Sequence, residues 1–313
     1  MRWKPVRFVP DGTNLPFMQW SRWGFFFSGV LCALSIWLFA YQGLNYGIDF
    51  KGGSVITIRT PEPANIDSLR NQLGGLGIGD VEIQQFGSPN DVLIRIEAQT
   101  GGETAELDAQ KKVKDALGTK VEYRSVETVG PKVSGELTQE AILAVIISIL
   151  GVLIYLWFRF EWQFAIGGVI SLLHDTLLSI GLFSLIGLEF NLSIIAAILT
   201  IIGYSLNDTV VVFDRIREFL RKYKTMHFAD LLDFSINSVL PRTLLTSVCT
   251  LLSLVSLYVF GGEVIRGFAF AMIWGVFVGT YSSIFVAAPI LALLGMKRDW
   301  STDGSRTVAN ARP

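Results

Sequence analysis

Six stretches of mostly apolar residues constrain the fold of this chain more than any other feature. A helix needs about 20 such residues to cross the hydrocarbon core of a bilayer. The composition agrees with a membrane location, because 51% of the residues are hydrophobic and only 17% are charged, whereas soluble domains carry about 25% charged residues. We therefore predict an all-α bundle of six transmembrane helices over residues 22–43, 141–158, 163–187, 192–213, 239–260 and 267–296.

Basic residues predict how this bundle is oriented. Lys and Arg are frequent before the first stretch, after the fourth and after the sixth, whereas the turns after the third and the fifth contain only Arg266. Short loops rich in positive charge mark the cytoplasmic side. We expect a cytoplasmic N-terminal tail over residues 1–21 and a disordered cytoplasmic tail over 297–313. The first apolar stretch is too long for a signal peptide and has no convincing cleavage site, so we interpret it as a retained span.

The polar segment between the first two spans, residues 44–140, has the pattern of a small α+β domain on the outer side. Strand-like runs alternate with helical ones, and glycines separate them. Residues 87–90, Gly-Ser-Pro-Asn, predict a turn between the two middle strands. The resulting order β-α-β-β-α-β is that of a ferredoxin-like domain. The strands are predicted at 55–60, 80–86, 91–98 and 120–129, and the helices at 64–73 and 103–117.

Asp208 stands inside the fourth apolar stretch, with apolar residues on both sides. A carboxylate in hydrocarbon costs about 3 kcal/mol on insertion scales, and such residues usually mark a path for ions or protons. The alternative is that Asp208 only holds a helix interface by hydrogen bonding. We take the functional interpretation as our working hypothesis.

Arg242 is the candidate partner of Asp208. The fourth and fifth spans are consecutive and antiparallel, with Asp208 five residues before the end of one and Arg242 three residues after the start of the next. At 1.5 Å per residue the two side chains lie at similar depths. Arginine keeps its proton, whereas a desolvated carboxyl can titrate near neutral pH. Asp208 would therefore carry the proton and Arg242 would supply the fixed positive charge, unless Arg242 extends to the membrane surface instead.

Four further polar residues are candidates for support of this relay. Ser205 and Asn207 stand next to Asp208 and are expected to orient it, to hold a water or to bond between helices. His174 and Asp175 lie in the middle of the third span, where the His is either a relay or a packing residue. Gly275 and Gly279 have the four-residue spacing typical of closely packed membrane helices.

Other classes of function find little support in the sequence. The net charge of −1 offers no basic surface for nucleic acid. The two cysteines fall in apolar runs and predict no disulfide. No nucleotide-binding loop, metal-ligand spacing or nucleophile-base set is present, so we predict no cofactor, no metal and no enzyme activity.

Several motifs together resemble the SecF branch of the bacterial SecD/SecF protein-export family, and the resemblance extends over nearly the whole chain. They are GIDFKGG at 47–53, VGPKVSGEL at 129–137, RFEWQFA at 159–165, LHD at 173–175, GYSLNDTVVVFDRIRE at 203–218, SINSVLPRTLLTS at 235–247 and VFGG at 259–262.

This resemblance implies a subunit of the inner membrane with a periplasmic ferredoxin-like domain. The expected partners are a SecD subunit, the SecYEG channel and the preprotein, and the expected activity is proton-motive-force-driven help in late-stage translocation. The intramembrane Asp and Arg of the family fall on Asp208 and Arg242, and a further membrane Asp belongs to SecD. Pro241 stands where the family more often has Ser, which bears on the depth of Arg242.

Two other functions compete with this interpretation. One is a small-molecule exporter of the resistance-nodulation-division type, which has a similar plan but needs larger external domains. The other is a structural subunit that stabilises its partners and carries no protons.

Overall fold

The computed structural model describes residue 10 and residues 13–295. The predicted tail over 297–313, and most of the tail over 1–21, lie outside the described residues. The chain divides into two compact units. The first contains the described parts of Met1–Leu44, Ser148–Gly187 and Ala196–Pro313, and the second contains Asn45–Ile147 and Leu188–Ile195.

Six helices in the described part of the chain are long and apolar enough to cross a membrane, which confirms the predicted number of spans. The last of them changes from α-helix to π-helix at Ser283–Ala287 and then continues as α-helix. We label the long helices α1 (Phe17–Gln42), α5 (Pro131–Arg159), α6 (Trp162–Ile186), α7 (Leu192–Lys222), α8 (Phe228–Phe260), α9 (Glu263–Ser282) and α10 (Ala288–Leu293), and the short ones α2 (Ile48–Lys51), α3 (Ile66–Gly74) and α4 (Glu103–Leu117).

Several helices extend beyond the apolar stretches that predicted them. α5 begins ten residues before the predicted residue 141, at Pro131, a residue that suits the first helical position because its missing N–H has no helical partner there. α7 continues to Lys222 and α8 begins at Phe228. The added part of α7 is rich in Arg, Glu and Lys, which favour a helix. The added part of α8 buries Leu231, Leu232 and Ile236. The length of a continuous apolar stretch therefore underestimates the length of these helices.

The second unit contains the predicted order β-α-β-β-α-β, formed by β2 (Gly53–Arg59), α3, β3 (Val81–Phe86), β4 (Ser88–Ile96), α4 and β5 (Glu122–Val129). The four strands form an antiparallel sheet in the order β3-β4-β2-β5. Ile56 lies opposite Ile94 on one side and Val126 on the other. Ile56 and Ile94 are fully buried at 0% exposure. The four-residue turn predicted at 87–90 is wrong, because β4 begins at Ser88 and Gly87 alone makes the reversal at φ 81°.

A two-residue parallel bridge connects the entry of this unit with the segment that precedes α7. In it β1 (Asn45–Tyr46) pairs with β6 (Glu189–Phe190). Asp49 accepts a hydrogen bond from the backbone N–H of Leu192 at 2.8 Å, which satisfies a free donor at the start of α7. Gly53, in the GIDFKGG sequence, has φ 109°, and a Cβ there would lie 2.2 Å from the carbonyl oxygen of Ile96. Only glycine fits that position.

Arg95 joins three parts of the second unit. Its Nη1 donates to Asn45 at 3.2 Å and to Glu82 at 3.0 Å, and its Nη2 lies 2.9 Å from a carboxylate oxygen of Glu189. The Arg95 side chain is only 8% exposed. Burial raises the pKa of Glu189 above its usual value, and the nearby Arg95 partly opposes this rise. The guanidinium therefore offsets part of the cost of burying this carboxyl.

In the first unit, small residues let helices approach closely. A Cβ on Gly275 of α9 would lie 2.2 Å from Ile201 of α7, and one on Gly279 would lie 3.0 Å from Ser205. The predicted close-packing role of the two glycines is thus confirmed. A Cβ on Gly181 of α6 would lie 2.2 Å from the Ser35 hydroxyl of α1.

We predict that Gly275→Ala destabilises the purified chain by about 1–3 kcal/mol, the range for overpacked cores. Gly203→Ala is the matched control, since a Cβ there meets nothing within 4 Å, and alanine gains about 1 kcal/mol of helix propensity over glycine. Thermal unfolding in detergent measures both variants. Equal melting temperatures for the two would contradict the close α7–α9 contact.

We predict that Arg95→Ala lowers the stability of the second unit by about 2 kcal/mol. Breaking a fully buried ion pair costs about 3–5 kcal/mol, and the Glu189 side chain is 27% exposed, which reduces the loss. Hydrogen exchange of the β2 and β4 amides in the full chain should then be about 30-fold faster.

The control for this prediction is Arg59→Ala, which removes a bidentate pair with Asp91 at the surface. Exposed pairs contribute little, so this variant should change exchange much less. A comparable acceleration in both variants would refute the role given to Arg95.

Candidate functional site in the membrane helices

Asp208 lies on α7 and is 3% exposed. Its Oδ2 has no hydrogen-bond partner in the described part of the chain. Buried polar atoms nearly always find a partner, and the exceptions often have a function. The sequence-based expectation of a buried carboxyl at this position is therefore met, and one of its oxygens is left unsatisfied.

Asp175 is the better satisfied carboxyl of the membrane unit. It is 1% exposed, and its Oδ2 accepts hydrogen bonds from Ser205 at 2.5 Å and from Ser282 at 2.8 Å. Its Oδ1 lies 2.9 Å from Nδ1 of His174. This polar cluster, which consists of His174, Asp175, Ser205 and Ser282, joins α6, α7 and α9.

The polar cluster includes one residue of α7, the helix that carries Asp208. Ser205 is three residues before Asp208 on α7, so both side chains lie on the same face of the helix. Ser282 immediately precedes the π-helical turn Ser283–Ala287. Such turns occur frequently at functional sites. The predicted supporting residues Ser205, Asp175 and His174 thus lie in one cluster.

Asn207 does not join this cluster. It is exposed, because successive residues of an α-helix are rotated by about 100° and Asp208 faces the interior. The prediction that Asn207 orients Asp208 is therefore not supported by this arrangement. Ser282, which the sequence pattern did not identify, takes part instead. Two adjacent serines, Ser282 and Ser283, in an otherwise apolar span were the available signal.

Arg242 lies near the level of Asp208 on the neighbouring helix. Tyr204 of α7 donates to Ser247 of α8 at 3.3 Å. The two helices are antiparallel, so a step of four residues from Tyr204 to Asp208 corresponds to a step back from Ser247 to Thr243. Asp208 is therefore at the level of Thr243, the residue next to Arg242. The guanidinium is close enough to act electrostatically on Asp208. The predicted similarity in depth therefore holds.

The predicted direct pairing of Arg242 with Asp208 is absent in this conformation. No ion pair within 4.0 Å joins them among residues 13–295. Arg242 is exposed and lines an open cavity of about 270 Å³ together with Asp214 and Glu218. Long basic side chains extend to polar surroundings when their stems are anchored in an apolar region. The alternative interpretation of Arg242, extension toward the surface, describes this conformation.

Further buried polar atoms without a partner are found on α6, α7 and α8. Within the described residues they include Ser171 Oγ, His174 Nε2, Thr209 Oγ1 and Thr243 Oγ1. No group of three His, Cys, Asp or Glu side chains in this part of the chain is arranged to bind a metal. These helices therefore contain buried hydroxyl and imidazole groups that can still form hydrogen bonds.

Two family models match the chain. One is "Protein export membrane protein SecD/SecF, C-terminal", over residues 109–297, and the other is "SecD/SecF GG Motif", over residues 37–60. The second range includes Gly53, where the backbone excludes any side chain.

Curated relatives and a solved structure agree with these models. The protein translocase subunit SecF of Cereibacter sphaeroides is 44% identical over 302 residues, which cover 94% of this chain and 93% of the relative. The SecDF protein of Brucella abortus is 44% identical over 293 residues, but this chain spans only 39% of its length. The crystal structure of SecDF from Thermus thermophilus matches with a TM-score of 0.84 at 34% identity, over 93% of this chain and 40% of that one. The chain therefore belongs to the SecD/SecF family of protein export membrane proteins.

Proposed function

We propose that this chain is a proton-motive-force-coupled accessory subunit of the Sec translocase that acts with a SecD subunit in late-stage preprotein translocation. The observation that carries the proposal is Asp208, a buried carboxyl with one unpaired oxygen inside a membrane helix. The curated relatives of this chain named above are protein translocase subunits. We assign it a transport role without chemical catalysis or cofactor.

The proposed relay consists of Asp208 and Arg242. When Asp208 is ionised, it attracts the guanidinium; when Asp208 takes up a proton, that attraction ends. Arg242 then stays in its open cavity, which Asp214 and Glu218 also line. The present arrangement of Arg242 corresponds to this second state. Protonation of Asp208 would in this way change the position of Arg242, and with it the preferred arrangement of the helices.

The polar cluster around Asp175 is proposed to position α7 rather than to carry protons. Its two serine hydroxyls come from α7 and α9, so it fixes the rotation of the helix that bears Asp208. Asp175 acts on the relay only through Ser205. His174 contributes one ring nitrogen to the cluster, and Asn207 faces away from it.

The partner subunit is proposed to cover the face of α7 and α8 that carries Asn207 and Arg242. Both residues are exposed in this chain. Polar groups within membrane helices face protein or water-filled spaces rather than lipid. The match to SecDF, in which a longer chain contains the equivalent of this one, favours SecD as that partner. SecYEG and the preprotein are the further partners of the assembly.

The described domain of the second unit is proposed to be ferredoxin-like and periplasmic, over residues 44–140. Its strand order and antiparallel sheet support the fold assignment. The basic flanks support inner-membrane placement with both termini in the cytoplasm, tails over 1–21 and 297–313, a first span over 22–43 and five more between 141 and 296.

α7 is the element that we propose to link proton binding with movement outside the membrane. It carries Asp208, and its first backbone N–H is held by Asp49 in the GIDFKGG sequence. β6, directly before it, pairs with β1. A shift or rotation of α7 would therefore act on the first residues of the external segment.

We predict that Asp208→Asn abolishes the part of preprotein export that depends on a proton gradient. The asparagine has the same shape but takes up no proton. Export into proteoliposomes that contain the complete translocase, with and without an imposed gradient, measures this effect. Asp208→Glu is the matched control and should retain part of the stimulation.

Assembly of the complex should remain normal in the Asp208→Asn variant. Full gradient stimulation in that variant would overturn the relay. If variants of both Asp208 and Arg242 retained export at normal complex levels, a structural subunit that carries no protons would be the correct function. Efflux of small molecules by the chain would instead favour an exporter.

We predict opposite effects on stability for the two buried acids. Asp175→Asn should destabilise the chain by about 1–3 kcal/mol, because it disturbs hydrogen bonds to a buried charged group. Asp208→Asn should leave the melting temperature unchanged or raise it, since the amide removes a buried charge that has few hydrogen-bond partners. Thermal unfolding of the two variants in detergent measures this difference. A large loss of stability in Asp208→Asn would indicate a structural role.

A further inference from the structure

Helix α8 contains a proline in its interior, directly before Arg242. The helix runs from Phe228 to Phe260, and Pro241 lies inside it. A proline has no backbone N–H, so the carbonyl of Asn237, four residues earlier, lacks the helical hydrogen bond that residue 241 would otherwise donate. The proline ring also crowds that carbonyl, and sharp bends in helices commonly occur at prolines. α8 is therefore weakened next to the arginine of the proposed relay.

The packing of α8 changes at the same point. Leu240 is buried in the core of the first unit, whereas Pro241 and Arg242 are exposed. After the proline, the hydroxyl of Thr246 is shared between the backbone carbonyls of Arg242 and Thr243, at 3.1 and 2.9 Å. A hydrogen bond from Thr to the carbonyl four residues earlier often bends a helix. The residues at the proline thus lack the close packing that holds the first part of α8.

The part of α8 before the proline is held to the start of α1. The side-chain oxygen of Asn237 accepts from the backbone N–H of Leu15 at 2.9 Å, and its nitrogen donates to the Leu15 carbonyl at 2.9 Å. One turn earlier, Asp233 accepts from the backbone N–H of Met18 at 2.8 Å. Met18 lies in the first turn of α1, where backbone N–H groups have no helical partner. These contacts join residues 228–240 to the start of α1.

The part of α8 after the proline is held to α7 and α9 by a chain of hydroxyl groups. Tyr204 of α7 donates to Ser247 of α8 at 3.3 Å, and the Ser247 hydroxyl lies 2.8 Å from that of Thr280 on α9. Thr280 donates its own hydrogen to the carbonyl of Val276 at 2.8 Å, so Ser247 is the donor to Thr280. All three hydroxyl hydrogens are used within this chain. Ser247 is therefore held by both neighbouring helices.

We propose that Pro241 is a hinge on which Arg242 changes its position. Asn237 and Ser247 act as positioning residues, because they hold α8 before and after the hinge. The inference rests on the proposed function, since the hinge would let Arg242 approach Asp208 or move away from it. A bend at the proline shifts the first part of α8 together with the start of α1, whereas the rest of α8 stays with α7 and α9. Arg242 can thus exchange its contacts while the buried contacts on both sides remain intact.

The test is hydrogen exchange of the full chain in detergent, measured by mass spectrometry, together with export by the complete translocase. Pro241→Ala restores the missing N–H and should slow the exchange of amides 242–246 by roughly 10-fold, because alanine is the most favourable residue in a helix interior and proline the least favourable. Gradient-stimulated export should be largely lost. Export without a gradient, and the level of the complex, should remain unchanged.

Two variants serve as controls for the hinge. Pro289→Ala removes the proline of α10, which follows the π-helical turn on another helix, and should leave the exchange of amides 242–246 unchanged. Pro241→Ser should retain fast exchange and most of the gradient stimulation, since a serine hydroxyl can bond to the carbonyl of Asn237 and bend the helix. A role of Pro241 in folding alone would not give this rescue.

The contact after the hinge has a matched pair of variants. Ser247→Ala breaks the chain of hydroxyl groups, whereas Ser253→Ala removes a hydroxyl that bonds to the carbonyl of Cys249 in its own helix at 3.2 Å. The exchange of amides 248–252 should be roughly 10-fold faster in Ser247→Ala and nearly unchanged in the control. Equal exchange in the two variants would contradict the positioning role of Ser247.

The possible results separate the hinge from the relay. Unchanged exchange in Pro241→Ala would overturn the hinge, independently of the result for Asp208→Asn. Slower exchange with full gradient stimulation would also overturn it if Asp208→Asn loses stimulation, because the relay would then work with a rigid α8. Loss of stimulation in Pro241→Ala but not in Asp208→Asn would overturn the relay and support the hinge.

Discussion

The structure depends on how two carboxylates are accommodated within apolar helices. Asp175 has three hydrogen-bonding neighbours from three helices, His174, Ser205 and Ser282. Asp208 is buried with one oxygen unpaired. Burial is costly for both acids, so the difference in their hydrogen-bond partners distinguishes Asp175, which holds helices together, from Asp208, for which we propose proton exchange. The helix arrangement around α7 follows from the first, and the proposed activity from the second.

Small residues make this arrangement possible. Gly275 and Gly279 bring α9 so close to α7 that Ser282 reaches the same carboxyl as Ser205. A side chain on Gly275 would separate the helices and lengthen these hydrogen bonds. In lipid, where apolar contact between helices gives little advantage over contact with lipid tails, close approach and interhelical hydrogen bonds are the main forces of association. The glycines and the polar cluster therefore stabilise the same interface.

The sequence alone predicted much of the fold and one residue of the candidate site. Hydrophobic length predicted six helices, alternation predicted the order of elements in the second unit, and a charge among apolar residues identified Asp208. The sequence did not reveal the outward face of Asn207, the contribution of Ser282 or the rotation of Arg242. Those depend on helix rotation and on rotamers, which are determined by packing between helices rather than by local pattern. The depth of a residue along a helix can be counted from the sequence, whereas the direction of its side chain depends on how neighbouring helices pack.

The energy available from one proton can be compared with the energy that holds each part of the proposed site. One charge that crosses the full membrane potential yields about 2.3 kcal/mol per 100 mV. Each hydrogen bond to a buried charged group contributes about 1.5–3 kcal/mol, so rearranging the whole cluster around Asp175 would exceed the energy of one proton. Arg242, by contrast, is exposed and lines an open cavity, and exposed ion pairs contribute about 0–1 kcal/mol. In the proposed relay, a single proton would therefore suffice to move Arg242 but not to break the polar cluster, so we expect α7 to move as a unit with Asp175, Ser205 and Ser282 while Arg242 exchanges its contacts.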